Sequence, residues 1–498
     1  MKQQQDNSIS HHKQFWQVLA LVSSLLVCVS QGYAQSPIKM GKNGPDDPYS
    51  SSSDSWDQNF DDQWGLKRIG FWNETKDKKK NSVWRQLSKA KSPVVVAVID
   101  TGLDYFHPDF NKDNLWKNEE ETANGIDDDN NGFVDDLIGW NFVDQNNNPW
   151  DKTGHGTHSA GIIAAAINNG EGIAGMNPMA RIMPLKVLNF LGRGISSGIA
   201  EAIFYAVNNG ARIINLSLGG EYVTRFEQAA VEYANREGVI VVVASGNTAS
   251  DTSNYGFAKL DSVITVAAST LDDSRAQFSN WGQDVNITAP GVDMLSLRAR
   301  RTDFVLISGA EDYEAGTDFV GPENKYYRAS GTSFAAPLVS GVASLIWSIN
   351  PKLSAEQVTR MMLMSATDIE VSGWDQLTGY GLLNASAALL ADPDYYTFAK
   401  INSITPVQRE GALVVQVHGS ADSSELREAW LELGHGKSPS KWKKVAKIPK
   451  VGIREGVLAE LSPQEFNKGG TWSVRVMVKT KKHGTKEGWG TMDIQYGS

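Results

Sequence analysis

Short apolar runs alternate with helical patterns between residues 94 and 268. Four of the runs are continuous and rich in β-branched residues, as strands buried on both faces require; they are VVVAVID, RIINLSL, VIVVVASGN and SVITVAA. Stretches with apolar residues at helical spacing lie between and after them. The repeated strand–helix–strand order predicts an α/β fold, a parallel doubly wound sheet with helices on both faces.

The pattern changes beyond Pro393. Short runs of alternating polarity, such as ALVVQVHG and TWSVRVMVKT, follow one another with turn residues between them, which is typical of an antiparallel sandwich. Residues 395–498 contain 16 Lys and Arg against 10 Asp and Glu, whereas the whole chain has a net charge of −10. We therefore expect an α/β domain over 61–394 and an all-β, sandwich-like accessory domain over 395–498.

The N-terminus has the pattern of a signal peptide over residues 1–34. Two lysines precede an apolar run over 15–29, and Gly32-Tyr33-Ala34 offers a small-residue cleavage site. The run is shorter than the roughly 20 residues of a membrane span, which disfavours an uncleaved anchor. The polar residues 35–60 that follow, including SSSSDS, predict a flexible leader. We expect a secreted or extracytoplasmic protein. The cell envelope and the periplasm both stay open as its location.

Cysteine content and charge exclude several classes of protein. The one cysteine, Cys28, lies within the signal peptide, so the mature chain would contain no disulfide. Lipidation of Cys28 is disfavoured because Val27 stands where a small residue is needed. Loops of an exported protein then need another restraint, and bound calcium is the obvious candidate. The acidic net charge argues against nucleic acid as a partner.

Three short motifs carry candidate chemistry. They are VIDTGLDYFHPDF at 98–110, GHGTHSAG at 154–161 and GTSFAAP at 331–337. An aspartate after a strand is by itself often only a helix cap. Together, in the order Asp, His, Ser, the three motifs match one of the known chain orders of a nucleophilic triad.

These motifs resemble those of the subtilisin-like serine proteases, the subtilase family, and the likeness extends from about Asp61 to Ala391. SLGG at 217–220, ASGN at 244–247 and the segment FSNWG…ITAPG at 278–291 also resemble that family. The resemblance implies a secreted serine endopeptidase that acts on proteins or peptides through an acyl-enzyme. It further implies structural calcium, no catalytic metal and a monomeric state.

The catalytic roles follow from the resemblance and from the chemistry of serine. A serine hydroxyl needs a base to take its proton. By resemblance Ser333 is the nucleophile, His155 the base and Asp100 the carboxylate that orients the imidazole. His158 lies three positions from His155 and is expected to be a packed structural residue. The side-chain amide of Asn247 and the N–H of Ser333, which opens a helix, would form an oxyanion hole.

The resemblance also implies two strand-like segments that bind the substrate. An extended peptide would pair with one segment as an added strand, and the other would line the far side of the specificity pocket. Small residues there leave room for a large apolar or aromatic substrate side chain. The residues concerned are Ser217, Leu218 and Gly219 in the first segment and Ala244, Ser245 and Gly246 in the second.

One calcium site is carried over from the family. Asp109 and Asn169 match positions of a loop-bound ion, to which backbone carbonyls would add further oxygen ligands. Those carbonyls belong to Ile167, Glu171 and Ile173.

A second calcium site is indicated by NGIDDDNNGFVDD at 124–136, between Asp100 and His155. Its aspartates fit the start of an EF-hand-type loop, but the twelfth position is Ile138 instead of a bidentate glutamate. It is therefore not an EF-hand, and a solvated acidic loop is the alternative. We predict a structural ion that pins this insertion beside the site. The expected ligands are Asp127, Asp129, Asn131, the Phe133 carbonyl and Asp135, with Asp136 as a further source of charge.

Other interpretations remain open on sequence. An inactive binding protein built on a protease fold is disfavoured because the triad and Asn247 are intact. An esterase would carry its nucleophile in G-x-S-x-G, which is absent around Ser333. The stretch 298–327 either borders the cleft or is a surface insertion, and the latter is favoured. Lysine runs at 441–450 and 479–486 could bind an anionic surface, or protect strand edges.

Overall fold

The computed structural model describes residues 44–72, 82–300, 302 and 319–495. The predicted signal peptide, residues 35–43 of the predicted leader, and residues 301 and 303–318 of the stretch 298–327 lie outside these described residues. Helices α1 to α9 span Pro48–Ser51, Trp64–Arg68, Val83–Gln86, His155–Ala164, Ser196–Asn208, Arg225–Arg236, Thr332–Ile349, Ala355–Met364 and Ala385–Ala388.

The strands are numbered β1 to β17 along the chain. Those of the first part span Val94–Asp100, Trp140–Asn141, Ala180–Lys186, Ile213–Leu216, Ile240–Ala244, Ile264–Ser269, Val285–Pro290, Met294–Leu297, Phe319–Val320 and Tyr326–Ala329. Those of the second part, β11 to β17, span Thr397–Arg409, Ala412–Ser423, Leu426–His435, Lys443–Ile448, Ile453–Leu461, Gly470–Thr480 and Thr485–Ile494.

A parallel sheet forms the centre of the first part. Its seven strands run in the order β2-β3-β1-β4-β5-β6-β7, and all neighbours pair in parallel. Val96 and Val98 of β1 belong to the core shared with α4 and α7, while Ala97 and Ile99 belong to the core shared with α5 and α6. Both faces are thus buried, which explains the continuous apolar runs. The predicted doubly wound α/β class is confirmed.

The strand order reverses at β1. Strand β3 pairs with one edge of β1 and β4 with the other. Such a reversal opens a crevice at the carboxyl ends of the two strands. Asp100 ends β1, and Ser217 directly follows β4, so the topology brings both residues to the crevice.

Helix α7 is the core helix of this part. By length and composition alone it could cross a membrane, but 89% of it is buried inside the protein. It packs against the face of the sheet that includes Ile213, Val242 and Val266. Ser333 is the second residue of this helix, so a core helix also carries the predicted nucleophile.

Residues 44–60 are not the flexible leader that the sequence predicts. Asp62, which is fully buried, accepts hydrogen bonds from the hydroxyls of Ser52 and Ser55 and from the amide of Gln58. Helix α1 follows the buried Asp47. Polar residues therefore order this segment by satisfying buried carboxylates, which composition does not reveal.

The second part is a β-sandwich. One antiparallel sheet has the order β11-β12-β15 and the other the order β14-β13-β16-β17. Both contribute to a single core that includes Ile401, Val417, Leu431 and Val476. The predicted all-β class of this region is confirmed. Strand β14, which carries part of the first lysine run, lies at a sheet edge, where lysines oppose edge-to-edge pairing.

Polar and cation–π contacts join the sandwich to the α/β part. Lys400 of β11 donates from Nζ to the Gln283 carbonyl at 2.7 Å, and its ammonium lies 4.4 Å from the centroid of the Trp374 ring. The Trp374 N–H donates to the Glu487 carbonyl at 3.1 Å. These contacts fix one end of the sandwich against the α/β part of the chain.

The acidic insertion is held to the sheet edge by one aromatic residue and one buried carboxylate. The Phe133 ring packs edge-to-face on Tyr205 of α5, with centroids 4.9 Å apart, and on Trp140 of β2 at 5.1 Å. Asp136 is fully buried and accepts a hydrogen bond from the Tyr205 hydroxyl. The insertion therefore docks through its last residues, next to the strand that precedes the histidine motif.

Removing the Tyr205 hydroxyl tests this docking. Tyr205→Phe leaves the buried Asp136 carboxylate without one donor, which should lower the free energy of unfolding by about 1–3 kcal/mol. Urea unfolding at a fixed calcium concentration measures it. The matched control is Tyr233→Phe, whose hydroxyl bonds Asn208 at the surface and which should change stability by no more than about 0.5 kcal/mol. Equal effects of both substitutions would contradict the docking role.

Candidate active site

A buried pair of side chains lies at the carboxyl end of β1. The Nδ1 atom of His155 is 2.8 Å from Oδ1 and 2.7 Å from Oδ2 of Asp100, and both side chains are fully buried. A carboxylate can only accept, so Nδ1 carries the hydrogen and Nε2 is left as the basic nitrogen. The two residues, 55 positions apart in the chain, are therefore brought together as predicted from the resemblance.

Backbone contacts hold this pair in register. The Thr101 N–H donates to Asp100 Oδ1 at 2.7 Å, and the Gly156 N–H donates to Thr101 Oγ1 at 2.9 Å. A Cβ atom on Gly156 would lie only 2.2 Å from the Gly102 carbonyl oxygen. Because no side chain fits there, glycine allows the start of α4 to approach the end of β1.

Ser333 lies at the start of α7, joined to the segment that follows β4. Its hydroxyl donates to the Ser217 carbonyl at 3.0 Å, and the Ser217 hydroxyl donates to the Ser333 carbonyl at 2.7 Å. The next residue, Phe334, packs with its ring centroid 5.4 Å from that of His155. The nucleophile motif and the histidine motif are thus in contact.

The side-chain amide of Asn247 is oriented by Thr332. Asn247 Oδ1 accepts from the Thr332 N–H at 2.9 Å and from the Thr332 hydroxyl at 2.8 Å. The same hydroxyl accepts from the Gly246 N–H at 3.1 Å. With Oδ1 turned to Thr332, Nδ2 lies on the other side of the amide, beside Gly331. Sequence reasoning missed Thr332, although its place directly before Ser333 was a usable signal.

His158 has the packed position that the sequence predicts. It is fully buried, and its Nε2 lies 3.0 Å from the carbonyl oxygens of both Met294 and Tyr327. Two carbonyl acceptors require Nε2 to carry a hydrogen. Burial, with a contribution from nearby His155, lowers the pKa of His158 to about 3, so the ring stays neutral. His158 is therefore a neutral, hydrogen-bonded residue of the core.

The two predicted substrate segments lie near each other, but the space between them is filled. A Cβ atom on Gly219 would lie 2.4 Å from Cε1 of Tyr255, and one on Gly246 would lie 2.7 Å from Cζ of the same ring. In this arrangement the Tyr255 ring packs against the small residues of both segments, in the space where a large substrate side chain was expected.

The first candidate calcium site is a cluster of buried carboxylates. Asp109 is fully buried and accepts from the Asn169 amide and from the Ile173 N–H, each at 2.9 Å. Asp47, also fully buried, accepts from the N–H groups of Asn168 and Asn169. Of the predicted ligand residues, Asp109, Asn169 and Ile173 thus meet, together with Asp47, which the sequence interpretation had assigned to a leader.

Among the described residues, the two buried carboxylates of this cluster have no lysine or arginine partner. Burial raises the pKa of Asp109 to about 8 and that of Asp47 to about 6, and the charge of Asp47 raises the pKa of Asp109 further. Within the described ranges, no lysine or arginine forms an ion pair with either carboxylate. Buried, uncompensated oxygen donors of this kind fit a hard cation such as Ca²⁺.

The acidic insertion brings together a different set of carboxylates from the predicted one. Oxygens of Glu121, Asp129 and Asp136 lie within 4.8 Å of one another. Asp127 instead accepts from the N–H groups of Asn131 and Gly132, and Asp135 accepts from those of Asn124 and Gly125. The Glu121 carboxylate accepts hydrogen bonds from the backbone N–H groups of Asp128, Asp129 and Asp135. Glu121 lies 14 or fewer positions upstream of these partners. Asp129 is common to both sets, and Asp136 was expected only as a further source of charge.

The α/β part of the chain is similar to known proteins. The family model described as "Subtilase family" matches residues 91–381. A thermophilic serine proteinase of Bacillus sp. (strain AK1) is 37% identical over 303 residues, which are 61% of this chain and 63% of that protein. Thermitase of Thermoactinomyces vulgaris is 34% identical over 294 residues, 59% of this chain and 88% of that protein.

A solved structure agrees with these relatives. Proteases from Pseudoalteromonas arctica PAMC 21717 share the fold with a TM-score of 0.52 and 26% identity, over 70% of this chain and 99% of the other. The chain spans just under two thirds of the Bacillus relative's length. The family match covers more than half of the chain and includes the histidine and serine motifs and the aspartate at the end of β1. The chain belongs to the subtilase family.

Proposed function

We propose that this protein is a serine endopeptidase that hydrolyses peptide bonds in proteins or peptides through an acyl-enzyme. The observation that carries the proposal is the fully buried contact between His155 and Asp100, beside the start of the helix that bears Ser333. A buried carboxylate that fixes the imidazole tautomer is what a histidine base requires. Membership of the subtilase family supports the same reaction.

Proton transfer would run through His155. In the described state the Ser333 hydroxyl donates to the Ser217 carbonyl, so it has to rotate towards the imidazole before attack. His155 Nε2 would then take the proton while Ser333 Oγ bonds to the scissile carbonyl carbon, and would return it to the leaving amine. Asp100 stabilises the imidazolium through Nδ1. Water would then attack the acyl carbon as His155 takes its proton, and the bond from that carbon to Ser333 Oγ would break as His155 returns the proton to Oγ.

The oxyanion would be stabilised by two N–H donors. The Ser333 N–H is in the first turn of α7, where no intrahelical acceptor exists. Asn247 Nδ2 would supply the second donor, since Thr332 occupies its oxygen. Because Thr332 fixes the amide before substrate arrives, little reorganisation is needed when charge develops.

The substrate would bind as an extended strand. Ser217, Leu218 and Gly219 would pair with its backbone, and Ala244, Ser245 and Gly246 would face it from the other side. The first segment continues from β4 and the second from β5, which are neighbours in the sheet. Their adjacency supports a single binding groove at the carboxyl edge.

Calcium is proposed as a structural cofactor at two places. At the first, Asp109, Asp47 and Asn169 would hold it, with carbonyls of Ile167, Glu171 and Ile173 as in the family pattern. At the second, Glu121, Asp129 and Asp136 are better candidates than Asp127, Asn131, Phe133 and Asp135, since only the former set brings its carboxylates together. A cation at each place would neutralise adjacent carboxylates, and no metal takes part in the chemistry.

The proposed location is outside the cytoplasm, supported by the signal-peptide pattern of residues 1–34 and by cysteine confined to it. The sandwich is proposed as an accessory domain of a monomer. Several of its lysines already have partners: Lys443 pairs with Glu465 at 2.6 Å, and Lys482 with Glu425 at 3.3 Å. This supports edge protection over binding of an anionic surface.

The first prediction concerns the nucleophile. A fluorophosphonate probe should label the wild-type protein, because an activated serine displaces fluoride from phosphorus, and Ser333→Ala should abolish labelling and peptide cleavage. Ser196→Ala, at an exposed helix start, is the matched control and should be labelled like wild type. A folded wild-type protein that is not labelled would instead support the inactive binding protein.

The second prediction concerns Thr332. Thr332→Val removes the hydroxyl that orients Asn247, so kcat should fall about ten- to a hundredfold with little change in KM, less than the roughly 10²–10³ lost when an oxyanion donor is removed. Thr332→Ser keeps the hydroxyl and should retain most of the activity. Steady-state kinetics on one peptide substrate measures both. A rise in KM at constant kcat would mean that Thr332 serves binding and not the oxyanion.

The third prediction concerns calcium. Excess chelator should lower Tm by about 5–10 °C, since a ligand at a hundred times its Kd stabilises by about 2.7 kcal/mol, and should expose the acidic insertion to self-cleavage. Asp47→Asn and Glu121→Gln should each reduce the part of the Tm that depends on calcium. Asp54→Asn, at an exposed position, is the control. A Tm that chelator does not change would count against both sites.

A further inference from the structure

The aromatic ring of Tyr255 occupies the gap between the two proposed substrate segments. Cβ atoms on Gly219 and Gly246 would lie 2.4 Å and 2.7 Å from its carbons, well inside van der Waals contact, so the ring touches the backbone of both segments. A Cβ on Gly219 would also lie 2.9 Å from the Tyr255 hydroxyl oxygen. The Cε1–Cζ edge of the ring thus lies against both segments.

The loop that carries Tyr255 is held by backbone hydrogen bonds, one of them to Gly220, which follows the first segment. The Tyr255 N–H donates to the Thr252 carbonyl at 2.8 Å, and the Gly256 N–H donates to the Gly220 carbonyl at 2.7 Å. Thr252 in turn donates from its N–H to the Trp281 carbonyl at 2.8 Å. These bonds hold the backbone on either side of Tyr255, so the ring enters the gap from a fixed base and not from a freely moving loop.

The gap suits a phenol ring. Gly219 and Gly246 present no side chains, and Gly246 has φ +103°, a conformation that other residues rarely adopt. The Tyr255 side chain is partly buried, and burial raises the pKa of its phenol, so the ring stays neutral at the pH at which a histidine base works. A neutral aromatic ring between two glycine backbones gains apolar contact without a buried charge.

We propose that Tyr255 sets the substrate specificity of this enzyme by filling the pocket that would receive the acyl-side residue, the one whose carbonyl is attacked. The remaining space admits a small side chain, so the substrates are peptides with glycine, alanine or serine at that position. This inference rests on the proposed function, because it names the substrate class of the same site. It replaces the preference for large apolar residues that the sequence alone indicates.

Paired peptide substrates test the proposal. They are identical except for alanine or phenylalanine as the acyl-side residue. The wild-type protein should cleave the alanine peptide with the higher kcat/KM. Tyr255→Gly opens the pocket and should raise the phenylalanine-to-alanine ratio of kcat/KM by about ten- to a hundredfold. This ratio corresponds to the roughly 1.5–3 kcal/mol gained when the phenylalanine side chain of the substrate is buried.

Two further variants make the test independent of folding defects. Tyr255→Phe keeps the ring and should keep the preference for alanine, whereas Tyr255→Ala should shift the ratio in the same direction as Tyr255→Gly. Fluorophosphonate labelling of each variant reports whether the serine is still activated. Because a ratio of two substrates is measured on one protein sample, a lower fraction of folded protein cancels.

The outcomes separate this inference from the proposed function. A wild-type protein that is labelled but prefers the phenylalanine peptide would overturn the inference, since Tyr255 would then swing out of the pocket, and leave the proposed function intact. An unchanged ratio in labelled Tyr255→Gly and Tyr255→Ala would overturn it as well. Absence of both labelling and cleavage in the wild type would overturn the proposed function itself.

Discussion

The contact between Asp100 and His155 is the constraint on which the rest of the α/β part depends. It joins the last residue of the first strand to the first residue of α4, with both side chains fully buried. A buried carboxylate is costly unless it is hydrogen-bonded, and Asp100 is bonded by the imidazole and by the Thr101 N–H. The close approach this requires is possible because Gly156 has no side chain. Strand, turn and helix are therefore positioned by one polar contact.

The same edge of the sheet supplies the other parts of the site. Ser217 follows β4, Asn247 follows β5, and Ser333 opens the core helix that packs over these strands. Ser217 is held by Ser333, and Asn247 is held by Thr332. Each contact joins a residue that follows a strand to the start of the core helix. Preorganisation thus comes from backbone and hydroxyl contacts made at the junctions of regular elements, where geometry is well defined.

Sequence patterns predicted the regular elements and the motif residues for physical reasons. A strand buried on both faces has to be apolar throughout, so β1 and β5 were visible as continuous runs. The sandwich was visible from its period-two alternation. The less regular parts were predicted poorly. The SSSSDS stretch looked flexible, yet the hydroxyls of Ser52 and Ser55 donate to Asp62, and the composition of a polar run does not show that a nearby carboxylate is buried.

By itself, the sequence determined the fold class, the family and the residues that form the buried pair, because these depend on periodicity and on short motifs. Only the tertiary structure decided which carboxylates cluster in the acidic insertion and which side chain lies against both Gly219 and Gly246. Asp127 and Asp135 have the right spacing for an ion, but they bond nearby backbone N–H groups, while Glu121 and Asp136 meet Asp129. Tyr255 follows Gly246 by nine positions, and its ring reaches both Gly219 and Gly246 because the chain folds back there. Contacts of that kind depend on the path of the backbone, which local spacing does not specify.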